Sequence, residues 1–191
     1  LFVLSIKKYP LKINSYILLA EILRKENNVN DAIKALHAAK KIEKLNSEID
    51  YNLAITYKTN KSFREALVFI DAAIKKQPEN KIYKILKADI LIECFQYKKA
   101  QELLCNLKFK KDSLLHFQSE ILISKIFINQ KNYKLAEEIL LELRNIFSKQ
   151  KILYLNFSDL YFNSKELEKG ISILKEGIEN FPKFIPLRFN L

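Results

Sequence analysis

Two histidines, His37 and His116, and two cysteines, Cys94 and Cys105, are the side chains of this 191-residue chain best suited to hold a metal or to act as base and nucleophile. The histidines stand 79 residues apart, and neither has a Cys, Ser or carboxylate at metal-ligand or triad spacing. The cysteines, 11 residues apart, are too few for a disulfide framework or a zinc knuckle and read as core thiols of a reducing compartment. Glu137 and Glu138, or Asp89 and Glu93, read as solubilising charges on helix faces rather than as a general acid and its base. Only Gly170 and Gly177 are glycine, so no glycine-rich phosphate loop can form. The expectation is a chain with no catalytic residue, no metal and no cofactor.

Net charge is +11, which raises the question of a polyanion partner. Lys far outnumbers Arg, whereas phosphate recognition favours the bidentate guanidinium fork. Lys, Ile and Asn are abundant together, the pattern of a coding sequence rich in A and T. Biased composition therefore explains the charge better than a nucleic-acid site. One cluster, Lys98, Lys99, Lys108, Lys110 and Lys111, could form a basic patch on a single helix, though such a run is more often a solvated face.

The elements that would position these residues are helices. With 2 Gly and 4 Pro against 49% apolar residues, the chain has a core to bury and few of the turn formers that a β-rich fold needs. No apolar run is long enough to span a bilayer, and Leu1 to Ile6 lack the basic flank and cleavage site of a signal peptide. Self-similarity is pronounced. Ala20, Ala54, Ala88, Ser124 and Ser158 are spaced 34, 34, 36 and 34 apart, and 12 residues after each comes Ala32, Ala66, Ala100, Ala136 or Gly170. Bulky residues keep the same phase, with Leu23, Tyr57, Leu91, Phe127 and Tyr161 in one row and Leu36, Ile70, Leu104, Leu140 and Leu174 in another. A two-residue insertion near Ser113 to His116 accounts for the 36.

Within each unit apolar residues recur three and four apart, giving two amphipathic helices separated by polar breaks such as Lys58-Thr59-Asn60-Lys61. Small residues mark where two helix axes approach closely, with the bulky neighbour filling the space beside them. Gly170 and Gly177 fall on such crossings. Their helix cost, about 1 kcal/mol each against Ala, points to tight packing there.

These residues resemble the tetratricopeptide repeat family, whose 34-residue pattern has small residues at positions 8, 20 and often 27, bulky ones at 11 and 24, and Pro at 32. The chain matches 8, 11, 20 and 24 in every unit, and Pro78 and Pro182 fall at 32. Position 27 is Ala39, Ala73 or Gly177 in three units but Leu107 and Leu143 in the other two, which are expected to splay slightly. Position 4 is Tyr16 and Tyr154 but Asp50, Lys84 and Glu120 elsewhere, a departure expected to weaken single units. The resemblance implies an all-α, right-handed solenoid with repeats at 13–46, 47–80, 81–116, 117–150 and 151–184. Residues 1–10 read as the second helix of a preceding repeat and 185–191 as the start of a sixth, so a segment of a longer array is expected, able to self-associate through its open ends.

In this family the first helices of the hairpins line a concave groove. Carried over residue by residue, the groove positions include Ile17, Glu21, Tyr51, Ile55, Ile85, Asp89, Ile92 and Glu93, then Ile121, Lys125, Ile128, Leu155, Asp159 and Phe162. Tyr51, Ile55, Ile85, Ile92, Ile121 and Ile128 would form an apolar floor for a partner protein's amphipathic helix or extended segment. The clamp by which some members hold acidic chaperone tails is absent: of its five positions in the first triplet only Asn52 fits, beside Ile17, Glu21, Ile82 and Leu86. The 34-residue period and apolar groove also argue against the nucleic-acid-reading pentatricopeptide relatives. A non-catalytic protein-interaction scaffold, intracellular and cytoplasmic, with a membrane-anchored parent as the alternative, is the leading expectation. The runner-up is a substrate-docking arm of a larger enzyme, such as a glycosyl- or sulfotransferase with its catalytic domain elsewhere.

Overall fold

The structure, a computed structural model, describes residues 13–189, with backbone alone at 188 and 189. The helix expected over residues 1–10 lies outside the described residues. The rest is all-α, without a strand among the described residues. In chain order the helices are α1 (Ile13–Lys25), α2 (Val29–Ile42), α3 (Ser47–Thr59), α4 (Phe63–Lys76), α5 (Lys81–Glu93), α6 (Tyr97–Cys105), α7 (Leu114–Asn129), α8 (Tyr133–Ile146), α9 (Ile152–Asn163), α10 (Leu167–Asn180) and α11 (Pro186–Phe189). They form consecutive helical hairpins of the solenoid kind, divided between two compact units, residues 1–100 and 101–191.

Each hairpin turns in the same way. Asn27, Lys61, Phe95, Lys131 and Lys165 all adopt left-handed backbone, with φ of 60°, 58°, 59°, 61° and 67°. In the first turn Asn28 N–H donates to Leu23 O (2.8 Å) and Asn27 N–H to Arg24 O (3.1 Å). The pattern recurs at each later turn, as in Ser62 to Tyr57 and Lys61 to Lys58 (both 2.9 Å). This is the Schellman closure, which satisfies the last carbonyls of the first helix and reverses the chain. Asn46 starts α3 by accepting from Glu48 N–H (2.9 Å) and Ile49 N–H (3.3 Å), and Asn80 starts α5 by accepting from Ile82 N–H (3.1 Å) and Tyr83 N–H (3.3 Å).

In the first unit Ala20, Ala32, Ala54, Ala66, Ala88 and Ala100 are all fully buried, letting neighbouring helices close on one another around Leu36, Leu53, Ile70 and Ile90. In the second unit the same role falls to Ser124, Ala136, Ser158 and Gly170, around Leu140, Phe157 and Leu174. The two serines behave as small residues because each hydroxyl donates back to its own helix, Ser124 to Ile121 O and Ser158 to Leu155 O, both at 2.8 Å. The glycines are as tightly packed as their helix cost suggests. A Cβ at Gly177 would lie 2.9 Å from Tyr154 Cγ and 3.0 Å from Leu187 Cδ1, and one at Gly170 would lie 2.8 Å from the Phe162 ring.

The structure departs from the repeat pattern in three places. Leu143 at position 27 is 1% exposed, so the bulkier side chain is accommodated in the core and not splayed outward. The second helix of the third hairpin, α6, ends at Cys105 after 9 residues, where its counterparts run for 14. Lys108, Lys110 and Lys111 therefore lie beyond it, and the expected five-lysine patch on one helix does not exist. The inserted residues are taken up by an early start of α7, whose first turn is fixed by Ser113 Oγ accepting from His116 N–H (3.2 Å). Third, Asp50 at position 4 is completely buried on α3 and ion-paired to Lys40 of α2 and to Lys76 of α4, the latter at 2.5 Å. What the repeat pattern marks as a weakness is a tie across three helices.

Candidate interaction surface

In the first unit, α1, α3 and α5 carry the groove positions. Ile17, Tyr51 and Ile55 are half-buried and offer apolar surface. Ile85 (8% exposed) and Ile92 (2%) do not, because the chain's own packing already covers them. They support the face from beneath and correct the expectation of a continuous open floor. Charged residues tie the three helices together. Arg24 of α1 donates to Thr56 Oγ1 (3.1 Å) and Asn52 O (3.4 Å) on α3, and Lys58 of α3 pairs with Asp89 of α5. Glu21 pairs with Lys25 at 2.8 Å. Asp89 and Glu21 thus have partners within the chain.

Where α3 and α5 begin, the face opens into a cleft of about 650 Å³ lined by Leu45, Ser47, Glu48, Tyr51, Ile82 and Tyr83 together with the capping segments of both helices. Tyr51 stacks on Tyr83 with ring centroids 4.9 Å apart and planes inclined by 25°. Tyr83 is itself buried, and its hydroxyl meets Ser47 Oγ at 3.3 Å. Burial raises the Tyr51 hydroxyl pKa, with the neighbouring Tyr83 adding to the shift and Arg24 opposing it, so Tyr51 is neutral at physiological pH. Leu45 is 86% exposed and Ile82 47% exposed. Leu45 lies in the loop between hairpins, a place the groove positions do not cover; its only sequence signal is a lone apolar residue among polar ones.

In the second unit, α7 and α9 carry the face. Ile121, Leu155 and Phe162 are half-buried, whereas Ile128 is 8% exposed and belongs to the core, again against expectation. Asp159 retains an exposed surface, but partial desolvation pushes its carboxyl pKa up and the charge of Lys125 pulls it back, which places those two side chains near one another. Phe162 packs its ring against Gly170.

The histidines fall in separate units. His37 Nε2 meets the Tyr57 hydroxyl at 3.1 Å beside Phe69, and burial followed by Lys40 and Lys41 lowers its pKa. His116 Nδ1 lies 3.8 Å from Glu120. Among the described residues no three His, Cys, Asp or Glu side chains converge as metal ligands, and no helix there is long and apolar enough to cross a membrane.

The family model for the tetratricopeptide repeat matches residues 23–90. Solved structures extend the likeness along the chain. A tetratricopeptide repeat protein from Parabacteroides merdae superposes with a TM-score of 0.78 at 18% identity, covering 94% of this chain and 70% of that one. TTC0263 of Thermus thermophilus gives 0.77 at 14% identity, covering 93% and 95%. YrrB, described as a TPR protein with an unusual peptide-binding site, gives 0.60 at 16% identity, covering 98% and 96%. No curated protein matches the chain in sequence. Residues 23–90 thus carry the tetratricopeptide repeat match, and the fold of the chain is that of the solved tetratricopeptide repeat proteins.

Proposed function

We propose that the chain is a non-catalytic scaffold whose first-helix face binds an extended segment of a partner protein. The observation that carries this reading is the coincidence of the cleft with that face: Tyr51, a groove position, lines the cleft together with Glu48 at the start of α3 and Ile82 at the start of α5. Exposed Leu45 and Ile82 have no packing role that would account for them, and apolar surface gathered in a concavity is the usual mark of a binding site. With Ile85 and Ile92 buried, the face offers a line of single apolar side chains and not the wide trough that an amphipathic helix fills. The peptide-binding site named for YrrB lends support by analogy of fold.

The test is selection of peptides from a display library on the immobilised whole chain, followed by affinity measurement on variants. Each aliphatic side chain buried by a partner contributes about 1.5–3 kcal/mol before ordering costs. Ile55→Ser combined with Ile82→Ser is therefore expected to weaken a selected peptide at least about tenfold with helicity unchanged. Reversing Lys98, Lys99, Lys110 and Lys111 to Glu should leave affinity within about twofold. Binding lost on charge reversal, with a steep salt dependence, would instead indicate a polyanion surface and overturn the proposal.

A further inference from the structure

One carboxylate of the first unit's first-helix face is left over among the described residues. Glu21 and Asp89 are held by lysines, and Glu93 has a contact of its own. Glu48 is exposed, and its carboxylate forms no ion pair among the described residues. Its backbone is occupied, the N–H by the Asn46 cap and the carbonyl by Asn52 Nδ2 (2.9 Å), so its position is fixed while its charge is not spoken for. It lines the cleft beside the half-buried Tyr51 ring, which Tyr83 backs. In a chain of net charge +11, this lining contains no lysine and no arginine.

Two helices begin at this cleft, and helix beginnings ordinarily attract anions. Here that route is disfavoured. Asn46 and Asn80 each already accept two of the N–H groups at their helix start, and Glu48 adds negative charge at the mouth. An aromatic face beside a carboxylate that has no ion-pair partner favours a cation, through the ring quadrupole and a charge-assisted hydrogen bond. A planar guanidinium meets both demands better than a compact ammonium. Leu45 and Ile82 provide apolar surface on either side for the aliphatic neighbours of such a residue.

We infer that this cleft selects an arginine flanked by aliphatic residues on an extended partner segment, with Glu48 pairing the guanidinium and Tyr51 stacking on it. The inference rests on the reading of the first-helix face as a binding surface and specifies what that surface recognises.

The experiment is an NMR titration of the isotope-labelled whole chain with a capped Gly-Leu-Arg-Leu-Gly peptide and its counterparts bearing citrulline or glutamate in place of arginine. Saturable shifts are expected at Leu45, Tyr51 and Ile82, with the arginine peptide binding about three- to fivefold more tightly than the citrulline one and the glutamate peptide weakest. Glu48→Gln should abolish the preference for arginine over citrulline while leaving the fold intact, and Glu48→Asp should keep part of it. Equal binding of the arginine and citrulline peptides, shifts confined to another surface, or no saturable shift would each overturn the inference. Library selection separates the two levels. Peptides that bind this face without a basic residue, unaffected by Glu48→Gln, defeat the arginine inference alone, and a library with no binder at this face defeats both.

Discussion

The seam between hairpins is built from ionic groups in both units, by opposite means. In the first unit Asp50, at 0% exposure, is flanked by Lys40 and Lys76, and Lys76 also donates to Lys44 O at 2.7 Å. In the second, position 4 of the last hairpin is Tyr154, and the charges have moved outward to Arg144 and Glu176, with side chains 38% and 40% exposed. Tyr154 OH donates to Glu176 (3.3 Å) and accepts from Asn180 Nδ2 (3.0 Å), while the Arg144 guanidinium lies 6.0 Å from the Tyr154 ring centroid. A charge removed from water depends on every partner it retains, whereas a pair at the surface can fall back on solvent. The first seam should therefore be brittle and the second forgiving.

The largest effect is expected from stripping Asp50 of both cations. Lys40→Met with Lys76→Met leaves a buried, unpaired carboxylate, and chemical denaturation should register a loss of about 3–5 kcal/mol. Adding Asp50→Leu should recover most of it, because an apolar replacement of the whole cluster no longer buries a lone charge. If the double variant were as stable as the parent, Asp50 would not be the dependent group and the contrast between seams would fall.

A middle effect separates the two glycines of α10. At Gly177 an added methyl meets the Tyr154 Cβ and Cγ, close to a backbone that cannot yield. Gly177→Ala should destabilise by roughly 1–3 kcal/mol despite the gain in helix propensity. At Gly170 the obstacle is the outer edge of the half-buried Phe162 ring, which can swing away, so Gly170→Ala should change stability by less than about 1 kcal/mol. The smallest effect belongs to the exposed pair: Arg144→Gln should cost no more than about 1 kcal/mol, with the difference shrinking as salt is raised.

The fold was legible because the small residues at positions 8 and 20 repeat in phase and their burial is a local consequence of helix crossing. Ionic ties were not. Asp50 lies 10 residues from Lys40 and 26 from Lys76, on other helices, and no periodicity relates them. The binding face was legible only in outline. Tyr51 and Ile55 keep apolar surface, but whether Ile85 or Ile92 faces water depends on how closely the next helix approaches, which residue type alone does not determine. Leu45 escaped because family positions describe helices and it stands in a loop. The shortened α6 escaped because a 34-residue phase gives the centre of a helix and not its end.

The five identical turns have an evolutionary consequence. Each holds a left-handed residue that backbone hydrogen bonds impose, and none is glycine. Every lysine or phenylalanine there sacrifices about 1 kcal/mol that a glycine would retain. Because the turns belong to separate hairpins, the losses add as independent small terms, each too slight for selection to remove while the sum stays above the threshold for folding. Mutational drift toward lysine and asparagine can therefore run through these positions freely. Glycine at Lys61, Phe95, Lys131 and Lys165 together should return roughly 4 kcal/mol without moving a helix. The turns are a reserve of stability that the present sequence leaves unused.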